Sequence, residues 1–378
     1  MRIFVATGIF HPEPGGPATY LYHILPAIQA RGHEVHLLTF GDAPIAGYPY
    51  PVRRIPRRFS PRRMADYARA AWPEIRRADL VFIHSLGLPL IGANRKPRVV
   101  KVVGDLAWER AVNKGWIPPT TDIDEFQQRR YDWRVRLVQG QRAREAQQMD
   151  HIIVPSQYLR TMVIGWGAPP QRVQVIYNSI SPQHRTSSLS RDEARQQLGL
   201  DDAPLLLYSG RLTAWKGVDH VIRALRQVPN VRLLIAGDGP EEGALQALAE
   251  SINIADRIHF LRRVSRDQLA IYYRAADYTI LYSGYEGLSH VLLESLMAGT
   301  PVIASDKGGN PEVVRHGENG LLVPYVALDA LIATIQAAIA SDQQARLAAQ
   351  TGNGLERFAW NTMVEQTVAA LEGVCGCC

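Results

Sequence analysis

Residues 283–299, SGYEGLSHVLLESLMAG, carry two carboxylates, Glu286 and Glu294, with seven residues between them. Glu286 falls in a loop after an apolar strand, and Gly287 beside it lets backbone approach a ligand closely. A helix is predicted to open near Leu288–Ser289. Helix N-termini attract phosphate, because their unpaired N–H groups and the helix dipole both favour negative charge. Glu294 lies two turns further on, and Gly299 with Pro301 ends the helix. Alone, the pattern also fits a capped surface helix with two solvated acids.

A second cluster, GRLTAWKG at 210–217, follows an apolar strand and offers Arg211 and Lys216 among glycines. A guanidinium and an ammonium at the end of a parallel strand suit a diphosphate. Pro14, Gly15 and Gly16 form a third, a glycine turn of the kind that approaches phosphate or sugar. It is not G-x-G-x-x-G, so the dinucleotide-binding fingerprint is absent.

These residues need a scaffold that presents loops from strand ends, and the hydrophobic pattern supplies one. Arg2–Ala6 reads as a buried strand, Pro17 starts a helix to about Ala30, and Glu34–Thr39 is a second strand. Apolar strands follow at Leu80–Ile83, Val99–Val103 and Ile152–Val154, with polar helices across 124–148. The polar stretch Asn178–Ser190 reads as a linker. The rhythm then restarts with strands at Leu205–Tyr208, Val231–Ala236, Ile258–Leu261, Tyr278–Tyr282 and Pro301–Ala304, alternating with helices. Such βαβ alternation predicts an α/β protein with two Rossmann-like domains of parallel sheet, which bind ligands at the carboxyl ends of their strands.

In order and spacing, these clusters resemble the retaining GT-B glycosyltransferases of family GT4. The resemblance rests on Pro14–Gly16, RGHEV (31–35), VIYNSI (175–180), GRLTAWKG, IAGDGP (235–240), the Glu286/Glu294 pair, TPVIASDKGGNPEVV (300–314) and GENGLLV (317–323). It covers nearly the whole chain. It implies an acceptor-side domain at 1–182, a nucleotide-sugar domain at 191–355, and a last helix, 356–374, that packs back on the first domain. The two sheets would face each other across a cleft.

By the same resemblance, Arg211 and Lys216 hold the diphosphate of a UDP- or GDP-sugar. Glu286 bonds the donor sugar, Gly287, Leu288 and Ser289 offer amides, and Glu294 takes the ribose hydroxyls. Gly15 and Gly16 let the first domain close over the donor, while Arg263 and Val264 stand near the base. Transfer to an acceptor hydroxyl would retain the anomeric configuration and need no obligatory metal or other cofactor. Family members commonly carry a histidine where this chain reads KVVGDLAWE, so Gly104 or Asp105 stands in its place. Asp105 would take over the hydroxyl contact, or His84 or His11 would serve instead. Rival functions are a donor-binding partner subunit with little activity, and a nucleotide-sugar epimerase or hydrolase.

Composition narrows the partners. The net charge of +6 is uneven: residues 1–180 hold 25 Lys/Arg against 14 Asp/Glu, leaving 17 against 22 for the rest. The excess gathers at Arg53, Arg54, Arg57, Arg58, Arg62 and Arg63, near Tyr48, Tyr50 and Phe59. This patch suits an anionic or lipid-linked acceptor or a peripheral membrane contact, or is simply a solvated basic face. No nucleic-acid motif accompanies it. Asp122 and Asp124 in TDID mimic a metal-binding pattern but are read as chance or helix capping. No apolar run reaches membrane-spanning length, Leu328–Ala340 coming closest, and no signal peptide is recognised, so a cytoplasmic location is expected. The three cysteines, Cys375, Cys377 and Cys378, all sit in the last four residues, where none can staple a core.

Overall fold

The computed structural model describes residues 1–13, 15–44, 47–57, 60–181, 186–340 and 342–376. They form two compact units. One comprises Met1–Ile117, Phe126–Asn178 and the chain from Trp360 onward, and the other comprises Pro118–Glu125 with Ser179–Ala359. The eight residues Pro118–Glu125, assigned from sequence to the first domain, thus pack with the second unit.

The first unit is built on a seven-stranded sheet in the order β3-β2-β1-β4-β5-β6-β7. Its strands are β1 Arg2–Ala6, β2 Glu34–Phe40, β3 Val52–Ile55, β4 Leu80–Ile83, β5 Arg98–Lys101, β6 His151–Val154 and β7 Val173–Val175. All pairings are parallel. Burial on both faces explains the near-continuous apolar runs in β1 and β4. The sheet edges, β3 and β7, escaped the sequence reading. Two arginines interrupt β3 and β7 is three residues long, so neither stands out as an apolar run.

The helix Gly16–Gln29 buries Tyr20, Leu21, Ile24, Leu25 and Ile28 at helical spacing. The last helix, Trp360–Cys375, packs Met363, Val364, Val368 and Leu371 into the same core cluster. It belongs to the first unit although the second unit's chain precedes it. Residues 124–148 form two helices, Ile123–Gln128 and Trp133–Gln147, with Asp132 capping the second through the Val135 amide. Cys377 and Cys378 lie outside the described residues.

The second unit carries a six-stranded parallel sheet in the order β10-β9-β8-β11-β12-β13. These strands are β8 Leu205–Ser209, β9 Arg232–Ala236, β10 Ile258–Arg262, β11 Tyr278–Leu281, β12 Val302–Ser305 and β13 Gly320–Val323. A helix, Arg191–Leu198, precedes them, directly after the stretch read as linker. Ser190 and Glu193 form a reciprocal capping box at its start, and Gly199 ends it at φ 65°. The apolar helix Leu328–Ile339 spans 12 residues, and no described helix is long and apolar enough to cross a membrane.

The basic patch is partly consumed by the fold. Arg54 donates to the carbonyl of His11, Arg57 pairs with Glu13, and Arg63 lies over the Phe40 ring. Arg53 and Arg62 remain exposed; Arg58 and Phe59 lie outside the described residues.

A buried lysine without an ion-pair partner among the described residues marks the first unit. Lys101 is 1% exposed, and its Nζ lies 3.9 Å from the Tyr20 ring centroid with no hydrogen-bond partner among the described residues. Burial pushes its pKa down from 10.5 to about 7. Between those values the unfolded chain binds more protons than the folded one, so this group makes stability rise with pH. We therefore expect Lys101→Met to be more stable than the parent near neutrality. That advantage should shrink as pH rises towards 10, as read by chemical denaturation; parallel pH profiles would contradict it.

Candidate nucleotide-sugar site

In the second sheet the strand order reverses at β8: the chain moves outward to β9 and β10, then returns to lay β11 on the other side of β8. Loops leaving adjacent strands in opposite directions open a crevice at their carboxyl ends. Both chemistry-bearing clusters sit there, GRLTAWKG after β8 and SGYEGLS after β11.

Their side chains meet. Lys216 donates from Nζ to Glu286 Oε1 at 2.6 Å, with the two side chains 19% and 12% exposed. Mostly removed from water, each charge depends on the other. Lys216 ends a 3-10 turn, Ala214–Lys216, and Gly217 follows at φ 64°. A Cβ on Gly217 would stand 2.0 Å from the Tyr282 carbonyl oxygen, so only glycine lets the two loops close together. The Gly284 amide donates to the Trp215 carbonyl at 2.8 Å and ties them. Arg211 is exposed, and its carbonyl accepts from the Tyr208 hydroxyl at 3.0 Å.

A third loop supports Glu286 from below. After β12, Gly308 and Gly309 lie directly on the backbone of Glu286 and Gly287. The Gly309 amide donates to the Glu286 carbonyl at 2.8 Å. A Cβ at Gly308 would come within 2.3 Å of that oxygen.

Gly287 and Leu288 lead into the helix His290–Met297. Ser289 caps it, its side chain accepting from the Leu292 amide. Glu294 is half-buried within this helix, and the Tyr273 hydroxyl donates to its Oε2 at 3.0 Å. Burial pushes its pKa up from 4.5 to about 7, against the lowering effects of Tyr273 and Arg266. Tyr273 was not singled out from sequence. Its place in the periodic helix Arg266–Ala275 reads as core, and only a site-facing partner distinguishes it.

The remaining candidates are placed as follows. Arg263 follows β10, 70% exposed, with Nε 2.6 Å from Asp238 Oδ2. Val264 is half-buried against the second unit's apolar cluster. In the first unit, Gly15 caps the helix Gly16–Gln29 at φ 148°, after β1 at that sheet's own reversal between β1 and β4. Pro14 lies outside the described residues.

Asp105 requires correction. It is fully buried and caps the helix Leu106–Asn113 through the Ala107 and Trp108 amides. Its other oxygen pairs with Arg142 and accepts from Gln127 at 2.9 Å. A carboxylate engaged by four internal donors holds a helix and an arginine in place, so we assign it a structural role rather than a hydroxyl contact. His84 is also enclosed, and desolvation, with Lys101 nearby, pushes its pKa down to about 3. His11 stacks on Tyr22 at 4.1 Å between ring centroids and meets the Tyr48 hydroxyl at 3.1 Å.

Glu294 yields a pH test. Between about 4.5 and 7 the folded chain keeps a proton that the unfolded chain loses, so this group makes stability fall as pH rises. Glu294→Gln should remove that fall in ligand-free protein. An unchanged pH slope would contradict the burial argument.

Two family models match the chain in succession: Glycosyltransferase Family 4 over residues 14–184, and Glycosyl transferases group 1 over residues 190–353. An uncharacterized glycosyltransferase of Methanocaldococcus jannaschii is 36% identical over 180 residues, 46% of each chain. A D-inositol 3-phosphate glycosyltransferase of Xylanimonas cellulosilytica is 34% identical over 208 residues, covering 52% of this chain and 50% of that one. The matches thus span about half the length of these curated relatives. In structure, the Anabaena protein HepE in complex with UDP and glucose superposes with a TM-score of 0.78 at 23% identity, covering 99% of this chain and all of that one. With both sheets matched in fold and both units matched in succession, the chain belongs to glycosyltransferase family 4 and has the GT-B architecture.

Proposed function

We propose that this protein is a retaining glycosyltransferase that takes a sugar from a UDP- or GDP-sugar and passes it to an acceptor hydroxyl. The observation that carries this reading is the Lys216–Glu286 pair in the crevice where the second sheet reverses. An ammonium has three donors, and one is spent on Glu286, leaving two for diphosphate oxygens. Glu286 keeps Oε2 for a sugar hydroxyl. Arg211, exposed at the same loop, adds a second cation. Together they offset the charge that grows on the departing nucleoside diphosphate, the task a metal performs in other transferases. Glu294, held by Tyr273, accepts from ribose hydroxyls. The acceptor hydroxyl attacks from the leaving-group side and gives its proton to a donor phosphate oxygen.

UDP in the Anabaena structure supports a uridine donor, and the inositol-phosphate name of the Xylanimonas relative supports an anionic acceptor. Exposed Arg53 and Arg62 suit such an acceptor or an anionic lipid surface carrying it. The enclosure of Asp105 favours a second reading, a partner subunit that binds donor without turnover.

Calorimetry with UDP, GDP and their sugars, together with transfer assays, tests the proposal. Lys216→Ala and Arg211→Ala should each weaken nucleoside diphosphate binding by about tenfold or more. Glu286→Ala should cut turnover about 100-fold by releasing the donor sugar. Unchanged affinity in both cation variants would place the diphosphate elsewhere, and tight binding by a parent without transfer would favour the partner subunit.

A further inference from the structure

The segment Pro118–Glu125 packs with the second unit, while the chain on either side of it belongs to the first. Its polar contacts are specific. Asp122 Oδ1 accepts from the amides of Asp124 and Glu125 at 2.8 and 3.1 Å, capping the helix Ile123–Gln128. That leaves Oδ2, which lies 3.1 Å from Lys307 Nζ, and Asp124 Oδ2 lies 3.6 Å from the same ammonium. Burial opposes ionisation of Asp122, yet the Glu125 amide and Lys307 hold its carboxyl below the usual range. Two carboxylates therefore converge on one lysine.

Lys307 stands in the loop after β12, between Asp306 and the glycines that carry Glu286. Asp306 anchors one end by accepting from the Tyr325 amide at 3.1 Å. At the other end, Gly308 and Gly309 contact the Glu286 and Gly287 backbone with no side chain between. A Cβ on Gly309 would lie 2.4 Å from the Gly287 oxygen. Contacts this close at Gly308 and Gly309 couple a shift of the loop to the Glu286 backbone.

We propose that Asp122, Asp124 and Lys307 are positioning residues that fix the 306–309 loop, and through it Glu286, so that the 118–125 segment tunes recognition of the donor sugar. The inference rests on the donor-site reading above. A solvated ion group with no such role would change stability little and ligand preference not at all.

The discriminating quantity is the affinity gained when a sugar is attached to the diphosphate. It is measured by calorimetry as the ratio of dissociation constants for UDP and UDP-glucose, or for GDP and GDP-mannose where the parent prefers guanosine. Asparagine still caps a helix, so Asp122→Asn with Asp124→Asn removes charge and keeps the cap. That double variant and Lys307→Met should each lose about tenfold of the sugar-dependent gain, with nucleoside diphosphate affinity within about twofold of the parent. Lys307→Arg should restore the gain. An intact gain in both charge-removing variants overturns the inference, as does an equal loss for both ligands, which would indicate general disturbance of the unit. Lys216→Ala, run alongside, separates the two failures. If it leaves diphosphate binding unchanged, as does Arg211→Ala, the donor site itself is wrong. If it weakens binding about tenfold or more while the Asp122/Asp124 variant behaves as the parent, only the positioning role fails.

Discussion

The Lys216–Glu286 ion pair joins the two loops that carry the second unit's candidate site residues. It forms because β8 and β11 are sheet neighbours whose following loops diverge, and because glycine lets those loops touch. Gly217 against Tyr282, and Gly308 and Gly309 against Glu286 and Gly287, are backbone-on-backbone contacts that any side chain would pry apart. Two opposite charges held this close with little water are already in place, so in the proposed donor site little must be desolvated or rotated before a charged ligand is met. The strands set the direction, the glycines set the distance, and the charges supply the chemistry.

Much of this was legible in the sequence, for identifiable reasons. β1 was placed at its observed bounds because both its faces are buried, which leaves an unbroken apolar run. Lys216 and Glu286 were marked as site residues because their motifs follow such runs, where α/β sheets bind ligands. Their direct pairing was not legible, since 69 residues separate them in the chain and only the sheet order brings them together. The helix Arg191–Leu198, just beyond the stretch read as linker, was not picked out, although Ser190, Glu193 and Gly199 spelled its caps.

Asp105 shows the limit of placing a residue by motif alignment alone. Gly104 or Asp105 stands where family members commonly carry a histidine, but the residues that decide the role of Asp105 are Arg142 and Gln127, on elements further along the chain. A carboxylate there satisfies the first turn of a helix and pairs with the Arg142 guanidinium, and no sequence pattern announces that pairing. Asp122 and Asp124 invite the opposite mistake. Their spacing imitates a metal site, whereas Asp122 accepts from two amides of its own helix and both carboxylates lie near a lysine about 180 residues away.

The central claim is that a nucleotide sugar is held by the loops after β8 and β11. Hydrogen–deuterium exchange of the full chain, with and without a saturating UDP- or GDP-sugar, tests it most directly. The account predicts slowed exchange concentrated at residues 210–217 and 284–297, with the edge strand β10 unchanged. Protection confined to other segments, or none with any nucleotide sugar at saturating concentration, would contradict it.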